Sequence, residues 1–211
     1  MAENPSTQPA RRRAPAMDPE QRRAVIVAAA LPLVVEYGAA VTTAKIARAA
    51  GIGEGTIFRV FADKDALLAA CLAEALRPDD AVAHLAAIEL DQPLADRLTE
   101  AADVLSGHLA RVGAVIGALA GAGRPERAER PAPAEARRSA DREAGLAAPR
   151  AALAALFEPD RDRLRLAPER LAGTFQLLLM STGRAGMPDP LSTGELVDLF
   201  LHGAIATTGE A

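Results

Sequence analysis

Residues 42–67 read TTAKIARAAGIGEGTIFRVFADKDAL, and the order of small, glycine and apolar residues in this stretch indicates two short helices joined by a tight turn. Ala47 stands where two crossing helices come closest, so only a small side chain fits there. Gly51 follows the first helix, where glycine adopts the left-handed backbone conformation at little steric cost. Apolar residues occupy the other positions that such a pair must bury, namely Ile46, Ala50, Ile52, Ile57 and Val60. The joint pattern predicts a helix-turn-helix whose second helix covers about residues 53–61.

The sequence on both sides continues the helical pattern. Asp18 and Pro19 form an N-cap followed by a proline at the first helical position, and the helix that they begin is expected to end at Gly38. A further helix is predicted over about residues 64–76, because the residue before Pro78 avoids the α region. The apolar residues of the first helix recur at steps of three and four and predict a buried face made of Ala24, Val27, Ala28, Leu31, Val34 and Val35.

Together these elements resemble a known DNA-binding domain. The segment 24–72 contains a long helix ending in EYG, the sequences TTAKIA, AGI and GTIFRVF, and a helix opened by DKDALL. In these features it resembles the DNA-binding domain of TetR-family transcriptional regulators. The length of 211 residues and the helical remainder of the chain also suit that family.

The resemblance implies a set of DNA-contacting residues. In that family the second helix of the motif enters the major groove, and groups at the starts of neighbouring helices bind phosphates. Arg59 is the one long hydrogen-bonding fork on the second helix, so we expect it to contact a guanine or a phosphate. Lys45 is expected to be exposed on the same side. The residues that the resemblance places at the DNA are Thr42, Thr43, Lys45, Glu54, Gly55, Thr56, Phe58, Arg59 and Lys64.

Two of these residues depart from the family pattern. Phe58 stands where the family usually has tyrosine, so a phosphate-binding hydroxyl is absent. Glu54 brings a carboxylate close to phosphates, which weakens binding unless it accepts a hydrogen bond from cytosine N4 or serves as a first-turn charge on its own helix. We favour the role within the helix, because it needs no special geometry.

The rest of the chain predicts an all-α fold of about nine helices. Alanine and leucine dominate, aromatic residues make up only 3%, and no segment alternates with period two over the length of a strand. Helical patterns follow at about 79–89, 93–120, 134–157, 168–183 and 193–207. We divide the chain into a disordered basic arm at 1–17 that contains Arg11 to Arg13, a helix-turn-helix domain at 18–66, and a helical effector-binding and dimerisation domain at 67–211.

The last two predicted helices carry apolar stripes at steps of three and four. In the family that the chain resembles, these helices pair across a two-fold axis, as an operator with two half-sites requires. The resemblance therefore implies a dimer interface formed by Leu171, Phe175, Leu178, Leu196, Leu199 and Phe200. Periodicity alone leaves open whether these residues face a partner subunit or the core of their own protomer.

The helices predicted at 93–120 and 134–157 correspond to those that enclose the family's effector pocket. The resemblance places a small apolar effector there, against Leu105, His108 and Val112, with His108 as a polar contact. The alternative is that the lone histidine is structural or exposed, and that the small residues of this region only permit close helix packing.

The chain is acidic overall, with a formal net charge of −4, which is unusual for a protein that binds DNA. Residues 1–67 hold nine basic and seven acidic side chains, whereas the remainder holds 15 basic and 21 acidic ones. The acidity therefore belongs to the second domain, and a dimer would present the mildly basic part twice to one duplex.

The sequence contains few features that indicate another class of function. His84, His108 and His202 are far apart, and no metal, nucleotide-binding or catalytic motif occurs, so we expect no enzyme activity and no cofactor. Cys71, the only cysteine, is expected to be a buried thiol in a reducing cytoplasm, and no membrane association is expected. We predict a homodimeric repressor of transcription that binds double-stranded DNA. The alternatives are a helical enzyme and a protein-interaction module without specific DNA binding.

Overall fold

A computed structural model of the chain describes residues 18–121, 132–182 and 191–204, without the side chains of 132–144, 182, 203 and 204. Within these residues there are nine α-helices and two 3₁₀ turns, and none lies in a β-strand, so the predicted all-α class is confirmed. The helices are α1 (Pro19–Tyr37), α2 (Thr43–Ala49), α3 (Glu54–Val60), α4 (Lys64–Ala75), α5 (Asp79–Ala86), α6 (Leu94–Ala120), α7 (Ala132–Phe157), α8 (Pro168–Thr182) and α9 (Thr193–Ala204). The predicted arm at 1–17 lies outside the described residues.

Helix α1 begins and ends where the sequence predicts, and Val27 and Val34 are buried as predicted, but the rest of its buried face differs. The Asp18 carboxylate caps the helix by accepting a hydrogen bond from the backbone N–H of Glu20, and Gly38 ends it with φ of 57°. Apolar residues surround most of the helix, so more than one face fits steps of three and four, and packing against α2, α4 and α6 selects one. The buried residues are Ile26, Val27, Ala30 and Val34. The predicted residues that are exposed instead are Ala24, Ala28 and Val35.

Helices α2 and α3 form the predicted helix-turn-helix. The Thr42 hydroxyl caps α2 by accepting a hydrogen bond from the Lys45 N–H at 3.2 Å, and Gly51 in the turn has φ of 67°, in the left-handed region. The predicted framework residues Ile46, Ala47 and Ile57 are buried, and Ala50, Ile52 and Val60 are partly buried. This framework is confirmed.

Helix α4 packs on the same N-terminal core through Leu67, Leu68 and Cys71. By its packing α4 belongs with the first three helices, so the proposed domain boundary at residue 66 falls inside one packed element. Burial raises the pKa of the Cys71 thiol to about 11, which keeps it protonated near neutral pH. Cys71 is thus the buried, unreactive thiol that its apolar surroundings in the sequence predict.

Helices α5 to α9 surround a second core, and this core corrects part of the predicted dimer interface. The rings of Phe175 and Phe200 meet within it, with centroids 5.0 Å apart. Because α8 packs on α7, and α9 packs on α6, their apolar stripes face their own protomer. The prediction is therefore wrong for four residues, which are buried in this core: Leu171, Phe175, Leu196 and Phe200. Leu178 and Leu199 are exposed.

A buried ion pair lies at the edge of the second core. Arg97 is only 2% exposed; its Nη1 donates to the backbone oxygen of Leu156 at 2.7 Å, and its Nη2 donates to the Asp160 carboxylate. The exposed Arg163 also pairs with Asp160, at 2.9 Å. Among the described residues, Arg97 Nε is a buried donor without a hydrogen-bond partner. A solvent-open cavity of about 400 Å³ adjoins this group.

Two helical segments, 19–40 and 94–120, are long and apolar enough to cross a membrane by length and composition. Both contribute to the cores of the protein. Helix α1 buries Ile26 and Val34, and α6 buries Leu98, Ala101 and the charged Arg97. Only a minor part of each segment is buried, 28% for the first and 17% for the second.

The two cores meet at the end of α6. Val115 of α6 is buried in the N-terminal core, and Leu119 packs against it. Gly38 lies directly under the same helix, where a Cβ atom would come within 2.4 Å of the backbone oxygen of Ala118. The 3₁₀ turn Gly38–Ala40 is therefore in backbone contact with a helix that also builds the second core.

Candidate nucleic-acid interface and internal cavity

The outer face of α3 presents the residues that were predicted to enter a DNA groove. Ile57 on the inner face is fully buried, which fixes the rotation of this short helix. Arg59 makes no hydrogen bond or ion pair with any other described residue, so its guanidinium is available to an external group. On this face Glu54, Gly55, Phe58 and Arg59 are exposed and Thr56 is half-buried.

The start of α2 is joined to the start of α3 by a side-chain hydrogen bond. Thr43 Oγ1 donates to Glu54 Oε1 at 2.5 Å. The Glu54 carboxylate, at the first position of α3, therefore acts between two helices as well as on its own helix. The Thr43 hydroxyl, predicted to bind a phosphate, has its proton committed to Glu54, which leaves the Thr43 backbone N–H at the helix start for an anion.

Lys45 differs from its expected exposure. It is half-buried, and its Nζ lies 3.2 Å from the centroid of the Tyr37 ring at the end of α1. This is a cation–π contact, which holds the ammonium over the ring. The prediction that Lys45 is an exposed cation is therefore wrong. The sequence gives no sign that α1 and α2 bring Tyr37 and Lys45 together, so the contact could not be predicted.

Lys64 also has an intramolecular partner. Its Nζ donates to the backbone oxygen of Ala39 at 2.6 Å, which ties the first residue of α4 to the 3₁₀ turn after α1. An ammonium carries three N–H donors, so this bond leaves others for a phosphate. A second cationic contact that the sequence does not indicate is that of Arg23, whose guanidinium carbon lies 4.5 Å from the Phe61 ring centroid.

A partly open cavity of about 540 Å³ lies among α6, α7, α8 and Leu76, the residue after α4. Leu105, His108 and Val112, the three candidate effector residues, all line it. The sequence did not indicate Gln176, which lines the same cavity from α8 and is buried. The sequence could have indicated Gln176, because it is a glutamine at a core position of a predicted helix.

His108 stands at the cavity wall as a neutral imidazole near pH 7. Burial lowers its pKa below the ordinary value, and the positive charge of Arg111 lowers it further, against a smaller opposing effect of Asp80. No described residue forms a hydrogen bond with His108. Its ring therefore offers one N–H donor and one nitrogen acceptor to a molecule in the cavity.

Exposed leucines lie on the outer faces of the last two helices. Leu177 and Leu199 are 65% and 67% exposed, and Leu178 is 39% exposed. These leucines are the large apolar side chains that α8 and α9 leave open to solvent among the described residues. The described residues contain no group of three or more His, Cys, Asp or Glu side chains arranged to hold a metal ion.

Comparison with known proteins identifies the N-terminal part of the chain. Residues 26–71 match the family model described as bacterial regulatory proteins, tetR family. The match covers the helix-turn-helix, most of α1 and most of α4, which are the elements of the N-terminal core.

Solved structures share the fold along most of the chain. A tetR-family transcriptional regulator from Streptomyces coelicolor is 20% identical, with a TM-score of 0.52, over 88% of this chain and 81% of its own. A candidate TetR-family regulator from Mesorhizobium loti is 19% identical, with a TM-score of 0.57, over 90% and 100%. The superantigen PfiT is 20% identical, with a TM-score of 0.53, over 90% and 98%. At these identities the likenesses show a common fold, which serves more than one function.

Proposed function

We propose that this chain, whose residues 26–71 match the family model described as bacterial regulatory proteins, tetR family, represses transcription as a homodimer on a palindromic operator. A small effector bound in the cavity among α6, α7 and α8 releases it from the operator. The protein acts in the cytoplasm, where the operator and the effector meet.

The observation that carries this proposal is the outer face of α3. Ile57 anchors the helix to the core, while Arg59 projects into solvent without a described partner. A free guanidinium on an exposed recognition helix suits the two acceptors of a guanine in the major groove or a phosphate oxygen. The Thr43–Glu54 hydrogen bond supports the same reading, because it fixes the angle between α2 and α3.

A homodimer is supported by the exposed leucines of α8 and α9. Leu177, Leu178 and Leu199 are the apolar side chains that a partner subunit would cover. A two-fold pair presents the same patch on both subunits and also places two recognition helices on one face. In complexes of this kind the two half-sites lie about 34–36 Å apart, one turn of the DNA helix.

Release by an effector is supported by the position of α6. Val112 and Ile116 line the cavity, whereas Val115 and Leu119, on other faces of the same turns, pack with the N-terminal core. A ligand that moves the cavity wall therefore also moves a part of the N-terminal core. The effector lowers operator affinity by the difference between its affinities for the two conformations.

Selection of bound sequences from random double-stranded DNA by the purified protein tests the proposal. We expect enrichment of a palindrome. On that sequence, Arg59→Ala should weaken binding by about 1–3 kcal/mol if Arg59 reads a base, with relaxed preference at one position of each half-site. If Arg59 binds a phosphate, affinity should fall evenly across sequences and with a shallower salt dependence.

Arg111→Ala is the matched control, because it removes an exposed arginine of α6, away from the recognition helix α3, and should leave operator affinity unchanged. If Arg59→Ala binds the operator as tightly as the wild type, Arg59 is not part of the interface. Failure to enrich any sequence, together with weak binding to all DNA, would contradict the proposal and favour a protein-interaction module with the same fold. The internal partners of Thr43, Lys45 and Lys64 give that alternative its support.

A further inference from the structure

The walls of the partly open cavity among α6, α7 and α8 define the chemistry of what it can bind. Leucine, isoleucine, valine, proline and methionine side chains form most of its surface, and no charged side chain lines it among the described residues. Among the described side chains of the lining, an ion placed here would find no counter-ion to offset its lost hydration, which is costly. Two polar side chains face the cavity, His108 from α6 and Gln176 from α8.

The Gln176 amide presents an acceptor that the protein itself does not satisfy. The residue is only 6% exposed, and its Nε2 donates to the backbone oxygen of Leu146 at 3.3 Å. Since only the nitrogen of the amide can donate to a carbonyl, this bond fixes which end of the amide is the oxygen. Gln176 Oε1 accepts no hydrogen bond from any described residue. The atom is not enclosed by protein, so a hydrogen-bond donor of a molecule in the cavity can reach it.

His108 complements this acceptor. As a neutral imidazole without a described partner, it offers both a donor and an acceptor from another wall of the same cavity. The remaining lining residues, such as Leu105, Val112 and Met180, supply apolar contact only. The two polar groups therefore act as the orienting contacts in an otherwise apolar site.

We propose that this cavity binds an uncharged, mainly apolar molecule with a hydroxyl group that donates a hydrogen bond to Gln176 Oε1, with His108 as a second polar contact. The assignment rests on the proposed function of the cavity as an effector site and narrows its ligand class. Phenols and hydrophobic alcohols belong to this class. Carboxylates, ammonium compounds and pure hydrocarbons do not.

Titration calorimetry with three probes of one skeleton tests the assignment in the absence of DNA. The probes are 4-hexylphenol, 4-hexylanisole, which has no donor, and 4-hexylbenzoate, which is charged near pH 7. We expect 4-hexylphenol to bind about tenfold more tightly than each of the others, because only it donates a hydrogen bond to Gln176 Oε1 without bringing a charge. In Gln176→Leu the phenol and the anisole should bind equally.

His108→Phe should weaken binding of the phenol while keeping the cavity apolar. It serves as the second variant if Gln176→Leu folds poorly. Gln92→Leu removes a glutamine outside this cavity and should leave the preference for the phenol intact. Equal affinities of the wild type for phenol and anisole, tightest binding of the benzoate, binding of no probe, or an unchanged preference in Gln176→Leu would each overturn the assignment.

The operator provides a separate measurement. If 4-hexylphenol binds with the expected preference but does not release selected DNA, the assignment of the cavity stands and the effector part of the proposed function fails. If other compounds release the DNA while the three probes show no preference, the proposed function stands and the ligand class is wrong.

Discussion

Gly38→Ala is expected to destabilise the chain by about 3–5 kcal/mol, well beyond the usual cost of an alanine at a glycine position. Gly38 has φ of 57° and ψ of −144°, a combination that residues with a Cβ rarely adopt. A Cβ atom here would also stand 2.4 Å from the backbone oxygen of Ala118. A backbone carbonyl within a helix cannot turn away as a flexible side chain does, so either α6 or the 3₁₀ turn must shift.

Gly51→Ala is the matched control for this substitution. Gly51 also has a positive φ, of 67°, but nothing lies within 4 Å of the position of its Cβ atom. It should lose only the conformational term, about 1–2 kcal/mol. Urea denaturation of both variants gives the two free energies of unfolding. Equal losses would show that the contact of Gly38 with α6 carries no energetic weight.

The sequence predicts the structural role of Gly51 more completely than that of Gly38. The left-handed turn at Gly51 is predicted because the helix-turn-helix pattern is local and each of its residues constrains its neighbours. Gly38 is predicted as the end of α1, but its approach to Ala118 joins segments that are far apart in the sequence. Local periodicity contains no information about such contacts. For the same reason the cation–π contact of Lys45 with Tyr37 and the bond of Lys64 to Ala39 were not foreseen.

Amphipathic stripes were the other source of error. An apolar stripe predicts that a face is covered, but not by what covers it. The apolar stripes of α8 and α9, which contain Phe175 and Phe200, are covered by other helices of the same protomer. The exposed Leu178 and Leu199 lie on neighbouring faces of these two helices. In α1, the density of apolar residues allowed more than one face. Leu105, His108 and Val112 do line one cavity together, because they share one face of a single long helix, and their contact with an effector stays a prediction.

Asp160→Ala is expected to cost about 3–5 kcal/mol of the free energy of unfolding, because it leaves the guanidinium of Arg97 buried without its counter-ion. The remaining bond of Arg97, to the Leu156 backbone oxygen, does not neutralise the charge. Arg163→Ala provides the control, since it removes the other ion pair of the same carboxylate. The Arg163 side chain is 68% exposed, so its loss should cost about 1 kcal/mol or less.

Arg97→Met combined with Asp160→Ala separates the value of the ion pair from the cost of breaking it. Methionine fills the space of the arginine stem, and it also removes the buried Nε donor that lacks a described partner. The double variant should therefore recover most of the stability that Asp160→Ala loses, as measured by urea denaturation. If it were as unstable as Asp160→Ala, the loss would lie in the packing around Asp160 rather than in an uncompensated charge. If Asp160→Ala matched Arg163→Ala, the buried pair would be no stronger than a surface one. We therefore expect Asp160→Ala to be less stable than the double variant. The folded protein has already removed Arg97 from water, and this cost is offset only by a counter-ion or by removal of the charge itself.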